Sequence, residues 1–409
     1  PSHWDVRRAK FMMREIDERT AVGEEELLTV SHKTGVTPRR EKNVTMFLAE
    51  SNVGYKVCHP GDIVINTMWA WMAALGVSNH YGIVSPSYGV YRPHRAGEFL
   101  QPYLDELIRT PAYRDEYIAR STGITSSRLR LYPDAFLRIP VLRPSVTEQA
   151  AIVRFLAHSD RRIRRCIAAK QKLIKLLEEQ KQAIIQRAVT RGLDLNVHLK
   201  PSGVEWLGDV PEHWEVLSLR RVISRAVDGP HHSPDYVDKG IPFLSARNIK
   251  VDRWSLGDAK FISEEDYKEF SKRIIPEVGD VLYTKGGTTG VARAVDLEVR
   301  FQVWVHIAVL KLKQKKVTPQ YLALILNSPR CYEQAQLFTR GATNQDLGLG
   351  RMKGIIFALP PLSEQEAILS MVNEGSRELR GAIDRARREI EVLRVFRTRL
   401  IADVVSGKL

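Results

Sequence analysis

"PEHWEV" spans residues 211–216, and "PSHWDV" spans residues 1–6. A Pro-x-His-Trp-acid-Val hexamer found twice in a chain with seven tryptophans marks an internal duplication rather than coincidence. Further matches follow in the same order. "PGDIVINT" from residue 60 and "VGDVLYTK" from 278 stand 218 residues apart, as do "YLDELIRTP" from 103 and "YLALILNSP" from 321. "TEQAAI" from 147 and "SEQEAI" from 363 are offset by 216, as are "AVTRGL" from 188 and "VVSGKL" from 404. An offset that drifts by a few residues is what loops produce when they gain and lose residues between fixed elements. The chain is therefore a module copied once, each copy a globular part followed by a helix. "SGVEWLGDV" precedes Pro211 while nothing precedes Pro1, and there is no initiator Met, so a segment ahead of Pro1 is expected.

Each copy ends in more than 40 residues without proline, after "RPS" (143–145) or "PP" (360–361), which keep the chain from being helical just before. Ser363 and Glu366 have the spacing of a capping box. Steps of four and three pick out Ile152, Leu156, Ser159, Ile163, Cys166, Lys170, Leu173, Leu177, Gln180 and Ile184. The same register in the second copy gives Ile368, Val372, Gly375, Leu379, Ala382, Ala386, Glu389, Leu393, Phe396 and Leu400. This 3.5-residue period predicts a coiled coil. A helix of about 44 residues, roughly 66 Å long, cannot bury such a stripe alone, and its natural partner is its own duplicate. Antiparallel pairing would hold the two globular parts at opposite ends of a rod. Docking to a separate protein is the alternative, and both could hold on different faces. Arg161, Arg162, Arg164 and Arg165 form a basic cluster that fits a solvated face, phosphate contact or partner docking equally well.

The globular parts alternate short apolar runs that read as strands ("GDIVI", "YGIVSPSYGVYRP", "GDVLYT", "WVHIAVLKL") with runs that read as helices ("EFLQPYLDELIRT", "TPQYLALILNS"). The expected fold is thus α/β (α+β): two similar globular domains at 1–145 and 193–361, and two long helices at 146–192 and 362–409. The halves share this frame but diverge at 20–60 against 230–275, as two recognition surfaces reading different things would.

A net charge of +14 and a pI near 9.6 point to a polyanionic partner, most simply nucleic acid. No run of 18 apolar residues is present, and the first ten residues are not those of a signal peptide. Cys58, Cys166 and Cys331 lie far apart and match no zinc pattern, which suits reduced thiols in a cytoplasmic protein.

Catalytic patterns are weak. "SPSY" at 85–88 misses the methyltransferase loop it resembles by one proline and reads as a strand turn. Asp235 with Asp266 and Lys268 only loosely resembles a nuclease pattern, and "EEDYKEF" reads as an exposed helix. "KGGTTG" at 285–290 lacks the closing Gly-Lys-Ser/Thr of a P-loop. No metal-ligand set is recognisable, and the chain reads as non-catalytic.

Its loops instead offer groups suited to duplex DNA, where Arg and Lys meet phosphate or guanine and Asn and Gln meet adenine edges. In the first half these are His32, Lys33, Arg39, Arg40, Trp69, Trp71, Ser126 and Arg128. In the second they are His231, His232, Arg247, Lys285, Thr288, Thr289, Arg340, Thr343, Asn344 and Gln345. Each alone fits an ordinary surface loop, and the tryptophans fit a core equally well. What singles the set out is recurrence at matched positions, such as Thr125 and Thr343.

The Trp-Leu-Gly-x-x-Pro-x-His-Trp run at 206–214 and "LPPLSEQ" at 359–365 resemble the specificity subunits of type I restriction-modification systems, as does the duplicated module. The resemblance spans essentially the whole chain, although "RPSVTEQ" at 143–149 is a degenerate copy. It implies two target recognition domains, each reading one half of a split, asymmetric DNA site. It also implies spacer helices that fix the gap and dock two modification subunits, with restriction subunits joining them. S-adenosylmethionine, ATP and magnesium would be bound by those partners, with adenine-N6 methylation and ATP-dependent cleavage as the activities of the complex. The alternatives are a basic nucleic-acid-binding scaffold and a fragment of a type IIG-like restriction enzyme.

Overall fold

The computed structural model describes residues 1–42, 51–124, 129–313, 315–341 and 345–409. It divides into two compact units, one of residues 1–171 with 387–409, the other of residues 172–386. The boundary falls inside both long helices, so each unit contains the start of one helix and the end of the other.

In the first unit, an antiparallel four-stranded sheet runs in the order Met13–Glu15, Tyr88–Pro93, Ile63–Asn66 and Leu75–Val77. Asp5–Arg8 pairs separately with Pro140–Arg143. Helices Gln101–Ile108, Pro111–Arg120 and Pro133–Phe136 complete the frame. Proline stands in the first turn of each, where its missing N–H costs nothing. The core packs Met12, Ile63, Leu75, Tyr91, Tyr103 and Tyr117 together with Leu156 of the first long helix and Val404 and Val405 of the second.

The second unit repeats this frame. Its sheet runs Ile223–Asp228, Ile307–Leu312, Val281–Thr284, Ala292–Ala294, and Glu215–Ser218 pairs with Ile356–Leu359. The helices are Pro319–Leu326, Pro329–Phe338 and Leu349–Met352. Here the core takes in Ile185, Ala188 and Val189 of the first long helix and Ile368 and Val372 of the second. What differs lies between matched elements. The first unit carries a hairpin of Leu28–Ser31 and Gly35–Pro38, where the second has a three-stranded sheet and the helix Glu264–Ser271. "SPSY" is indeed a turn between strands, with Tyr88 N donating to Ser85 O at 2.9 Å.

The long helices are Val146–Arg191 and Leu362–Val405. Within the first unit they run antiparallel, joined by ion pairs Asp160–Arg397 and Lys170–Glu389. Their inner faces correct the heptad register. The repeat of seven through Ile163, Leu177 and Ile184 faces inward as expected, but the intermediate contact lies one residue later at every turn. Ile167 and Ile174, not Cys166 and Leu173, are the shielded residues, and Leu173 is 46% exposed. In the second helix Ile383, Ile390 and Arg397 replace Ala382, Glu389 and Phe396, and Phe396 is 52% exposed. Two steps of four follow one another near each helix start (152–156–160 and 368–372–376). Such a reset is how a 3.6-residue helix accommodates a seven-residue pattern. The start of the second helix also differs from expectation: it begins at Leu362, ahead of Ser363, so Ser363 and Glu366 do not form its cap. The reciprocal cap belongs to the first helix, where Ser145 N and Oγ donate to Glu148 and Glu148 N donates back to Ser145 Oγ.

Among the described residues no helix is long and apolar enough to cross a membrane, and no three His, Cys, Asp or Glu side chains gather as a metal-holding group. Cys58 and Cys331 are buried free thiols, and Cys166 is exposed.

Candidate nucleic-acid interface

The repeated His-Trp motif is scaffold. In the second unit, Trp214 Nε1 donates to Glu364 at 2.9 Å and His213 bonds the same carboxylate. The far edge of the Trp214 ring lies under Gly192, where an added Cβ would stand 3.2 Å from Trp214 Cζ2. In the first unit, Trp4 Nε1 donates to Glu148 at 3.2 Å, and His3 Nε2 lies 2.7 Å from it. A Cβ on Gly407 would meet Trp4 Cη2 at 3.0 Å. Each indole therefore joins the first turn of one long helix to the last turn of the other. Both glycines have φ near +70°, the left-handed stop that glycine adopts without strain. The His3 hydrogen bond, followed by those from Ser145, holds the Glu148 carboxyl down at about 2. The adjacent glutamines repeat as well. Buried Gln149 accepts from Leu100 N and donates to the Glu98 and Pro144 carbonyls, and Gln365 does the same for Thr318 N, Lys316 O and Pro360 O.

On this frame sit the loops. In the second unit three of them meet. Lys285 N donates to His306 O at 2.8 Å and Leu347 N to Lys285 O at 2.7 Å, which sets the end of Val281–Thr284 against residues 345–347. The Arg340 and Asp346 backbones pair with each other, with N–O distances of 3.0 and 2.8 Å. The Lys285 side chain is only 7% exposed, and its ammonium is 2.9 Å from Asp346 and 3.4 Å from Asp228. Burial alone would raise the Asp228 carboxyl, but the Arg273 hydrogen bond and the Lys285, Arg273 and His231 charges hold it below the usual range. Burial and the Lys285 charge push the His306 imidazole down, favouring its neutral form.

The candidate residues thus separate by environment. His231, His232, Arg247, Thr288, Arg340 and Gln345 are exposed. His231 stands 3.4 Å from Asp228, and the His232 ring meets Phe270 edge-on. Thr289 is buried and bonded to Gln336 and Thr339, and Lys285 is enclosed. Thr343 and Asn344 lie outside the described residues, as do Ser126, Arg128 and Thr125.

In the first unit Thr67 follows the equivalent strand, and its carbonyl accepts from Leu131 N at 3.0 Å as that of Lys285 accepts from Leu347. Thr122 and Arg130 pair with each other, matching Arg340 and Asp346. Trp69 beside it is 50% exposed, while the Trp71 indole N–H is bonded to Met68 O. His32 and Lys33 form the exposed tip of the hairpin, and Arg109, paired with Asp105, donates to the His32 carbonyl at 3.1 Å. Arg39 and Arg40 follow it, Arg40 pairing with Glu26 at 3.1 Å. Of the clustered arginines on the first long helix, Arg161, Arg162 and Arg165 are exposed and Arg164 pairs with Asp160 at 2.6 Å. Asp228, Arg273, His306 and Asp346, which organise the second unit's loops, were not among the expected residues. They are dispersed along the chain and repeat at no matched position, so sequence spacing could not have gathered them.

Trp69 and Thr288 follow matched strands of a duplicated frame, whereas the His32 hairpin has no counterpart in the second unit, so the exposed sets differ in chemistry. Comparison with known proteins agrees with that architecture. Residues 211–381 match the family model "Type I restriction modification DNA specificity domain". The chain is 21% identical over 295 residues to the type I restriction enzyme MjaVIII specificity subunit of Methanocaldococcus jannaschii, covering 71% of this chain and 66% of that protein. It is 26% identical to the putative MjaX specificity subunit of the same organism, over 46% of this chain and 44% of that one. With the StySPI specificity subunit of Salmonella potsdam it shares 24% identity over 77% of this chain and 67% of that protein. The chain thus spans about two thirds or less of the length of these relatives. Its fold is that of two solved chains, each matched along essentially its whole length. One comes from work on complex assembly and conformational transition of the type I R-M system (TM-score 0.70, 15% identity). The other is the HsdS subunit from Thermoanaerobacter tengcongensis (TM-score 0.52, 16% identity). Residues 211–381 thus match a type I restriction-modification DNA specificity domain, and the chain as a whole is similar to type I restriction enzyme specificity subunits.

Proposed function

We propose that this chain is the DNA-reading subunit of a type I restriction-modification complex, with each unit reading one half of a bipartite, asymmetric site. The observation that carries this is the pairing of one duplicated frame with two chemically different loop sets: Trp69 and the His32 hairpin on one unit, Thr288, Arg340, Gln345 and His231 on the other. A common frame fixes how each unit approaches a duplex, and different side chains give each a different sequence. The net charge of +14 supplies sequence-independent attraction to phosphate.

The helices serve as spacer and as docking sites for two modification subunits, and restriction subunits complete the assembly. Adenine-N6 methylation with S-adenosylmethionine and ATP- and magnesium-dependent cleavage belong to those partners. This chain contributes recognition, and its residues take no part in bond making or breaking.

The test is selection of bound duplexes from a random DNA pool by the full chain with its modification subunits. Two short, different half-sites at a fixed gap are expected. A single contiguous motif, or no enrichment with binding that simply fades in salt, would overturn the reading.

A further inference from the structure

Lys285 sits where a DNA-binding lysine would be sought, in a glycine-rich loop of a basic protein, yet it is one of the least accessible cations in its unit. Its ammonium is held by Asp346 at 2.9 Å, Asp228 at 3.4 Å and the Val305 carbonyl at 3.3 Å. These groups come from separate stretches of chain. Asp228 ends the strand that leads into His231 and His232, and Lys285 itself opens the loop carrying Thr288. Asp346 directly follows Gln345 and pairs with Arg340. Arg273 clamps Asp228 from the other side, and Arg351 donates to the Asp346 carbonyl at 2.9 Å.

We propose that Lys285 is a positioning residue for recognition, a buried latch that fixes the three exposed loop sets of the second unit relative to one another. This rests on the DNA-reading function proposed above. For the ammonium to reach a phosphate it would have to leave two carboxylates, and uncompensated buried charge is strongly unfavourable. The backbone is fitted to the latch as well. Gly286 packs so closely that an added Cβ would stand 2.1 Å from His306 Nδ1, and Gly287 N donates to Gln345 O at 3.3 Å. In the first unit the matched residue is Thr67, whose hydroxyl donates to Ser87 O at 2.8 Å, and the position matching Asp346 is Arg130. The latch therefore belongs to one unit alone, and its loss should blur one half-site and spare the other.

The experiment measures binding of the full chain to its selected duplex and to duplexes with either half-site scrambled, across a range of salt. For Lys285→Met, discrimination at one half-site should fall about tenfold, the loss expected when base contacts are misplaced. Discrimination at the other half-site, affinity for fully scrambled DNA and the slope of log K against log salt should stay as in the wild type. Lys285→Arg, which can still bridge both carboxylates, should restore most of the loss. Asp346→Ala, at a half-exposed position that folding tolerates, should reproduce it. Equal weakening on every duplex with the salt slope reduced by about one would make Lys285 a phosphate ligand and overturn the proposal. So would wild-type discrimination in both Lys285→Met and Asp346→Ala. If the wild type distinguishes none of the duplexes, the DNA-reading function fails first and the latch falls with it.

Discussion

Gln149 and Gln365 show how little of a residue's role is visible from its position in a motif. In sequence they stand in "TEQ" and "SEQ" and look like the polar start of a helix. In the structure each is buried and satisfies three backbone groups from two other segments. Removing one partner of a buried hydrogen bond costs more than the bond contributes, because the remaining groups stay desolvated. Gln365→Leu should therefore destabilise the second unit by about 2–4 kcal/mol, read as a lowered urea midpoint. The residual DNA preference of the folded fraction should not change. The same separation of motif from function applies to the tryptophans. Duplication of the His-Trp and Glu-Gln pairs could be read from sequence, but that they meet at both ends of the long helices could not, because 144 residues separate Trp4 from Glu148. Among the candidate DNA-contacting residues, exposure separates Thr288 and Arg340 from Thr289 and Lys285, a distinction that residue type does not carry.

At the scale of elements, sequence periodicity located the first long helix to within a residue and the second to within four, and misplaced half of their inner contacts. The seven-residue repeat was legible because Ile163, Leu177 and Ile184 recur strictly. The alternating contact was not, because Leu173 and Ile174, or Phe396 and Arg397, offer adjacent candidates, and apolarity favours the wrong one in the second pair. Arg397 turns inward because Asp160 meets it there. Ile390→Ala should accordingly cost about 2–4 kcal/mol by leaving a cavity in the helix pair. Phe396→Ala should change stability by no more than about 0.5 kcal/mol. Chemical denaturation of the two variants distinguishes this register from the strict four-three alternation, which requires the larger loss at Phe396. The strands and short helices of the shared frame were legible for a similar reason, since two copies of each pattern constrain one another. The hairpin at 28–38 and the 241–271 region have no second copy, and there the sequence offered only composition.

For the whole molecule, the duplication decides the account. Matched elements carry the same offset of 216 to 218 through most of the frame (63 to 281, 101 to 319, 146 to 362), so one fold was specified twice. The loops between those elements were free to diverge, which is where recognition is assigned. If the helices act as the spacer, deleting residues 167–173 together with 383–389 removes one repeat of seven from each and shortens each by about 10 Å, or three base pairs. The gap in selected duplexes should then change by about three base pairs, read by repeating the selection with the shortened chain. The central claim, that each unit reads its own half-site, is tested most directly by photo-crosslinking from single positions to the selected duplex. A crosslinker at His32 should label one half-site and a crosslinker at Thr288 the other, each confined to its own side of the gap. Labelling of the same half-site by both, or of the two half-sites indiscriminately by either, would contradict the account.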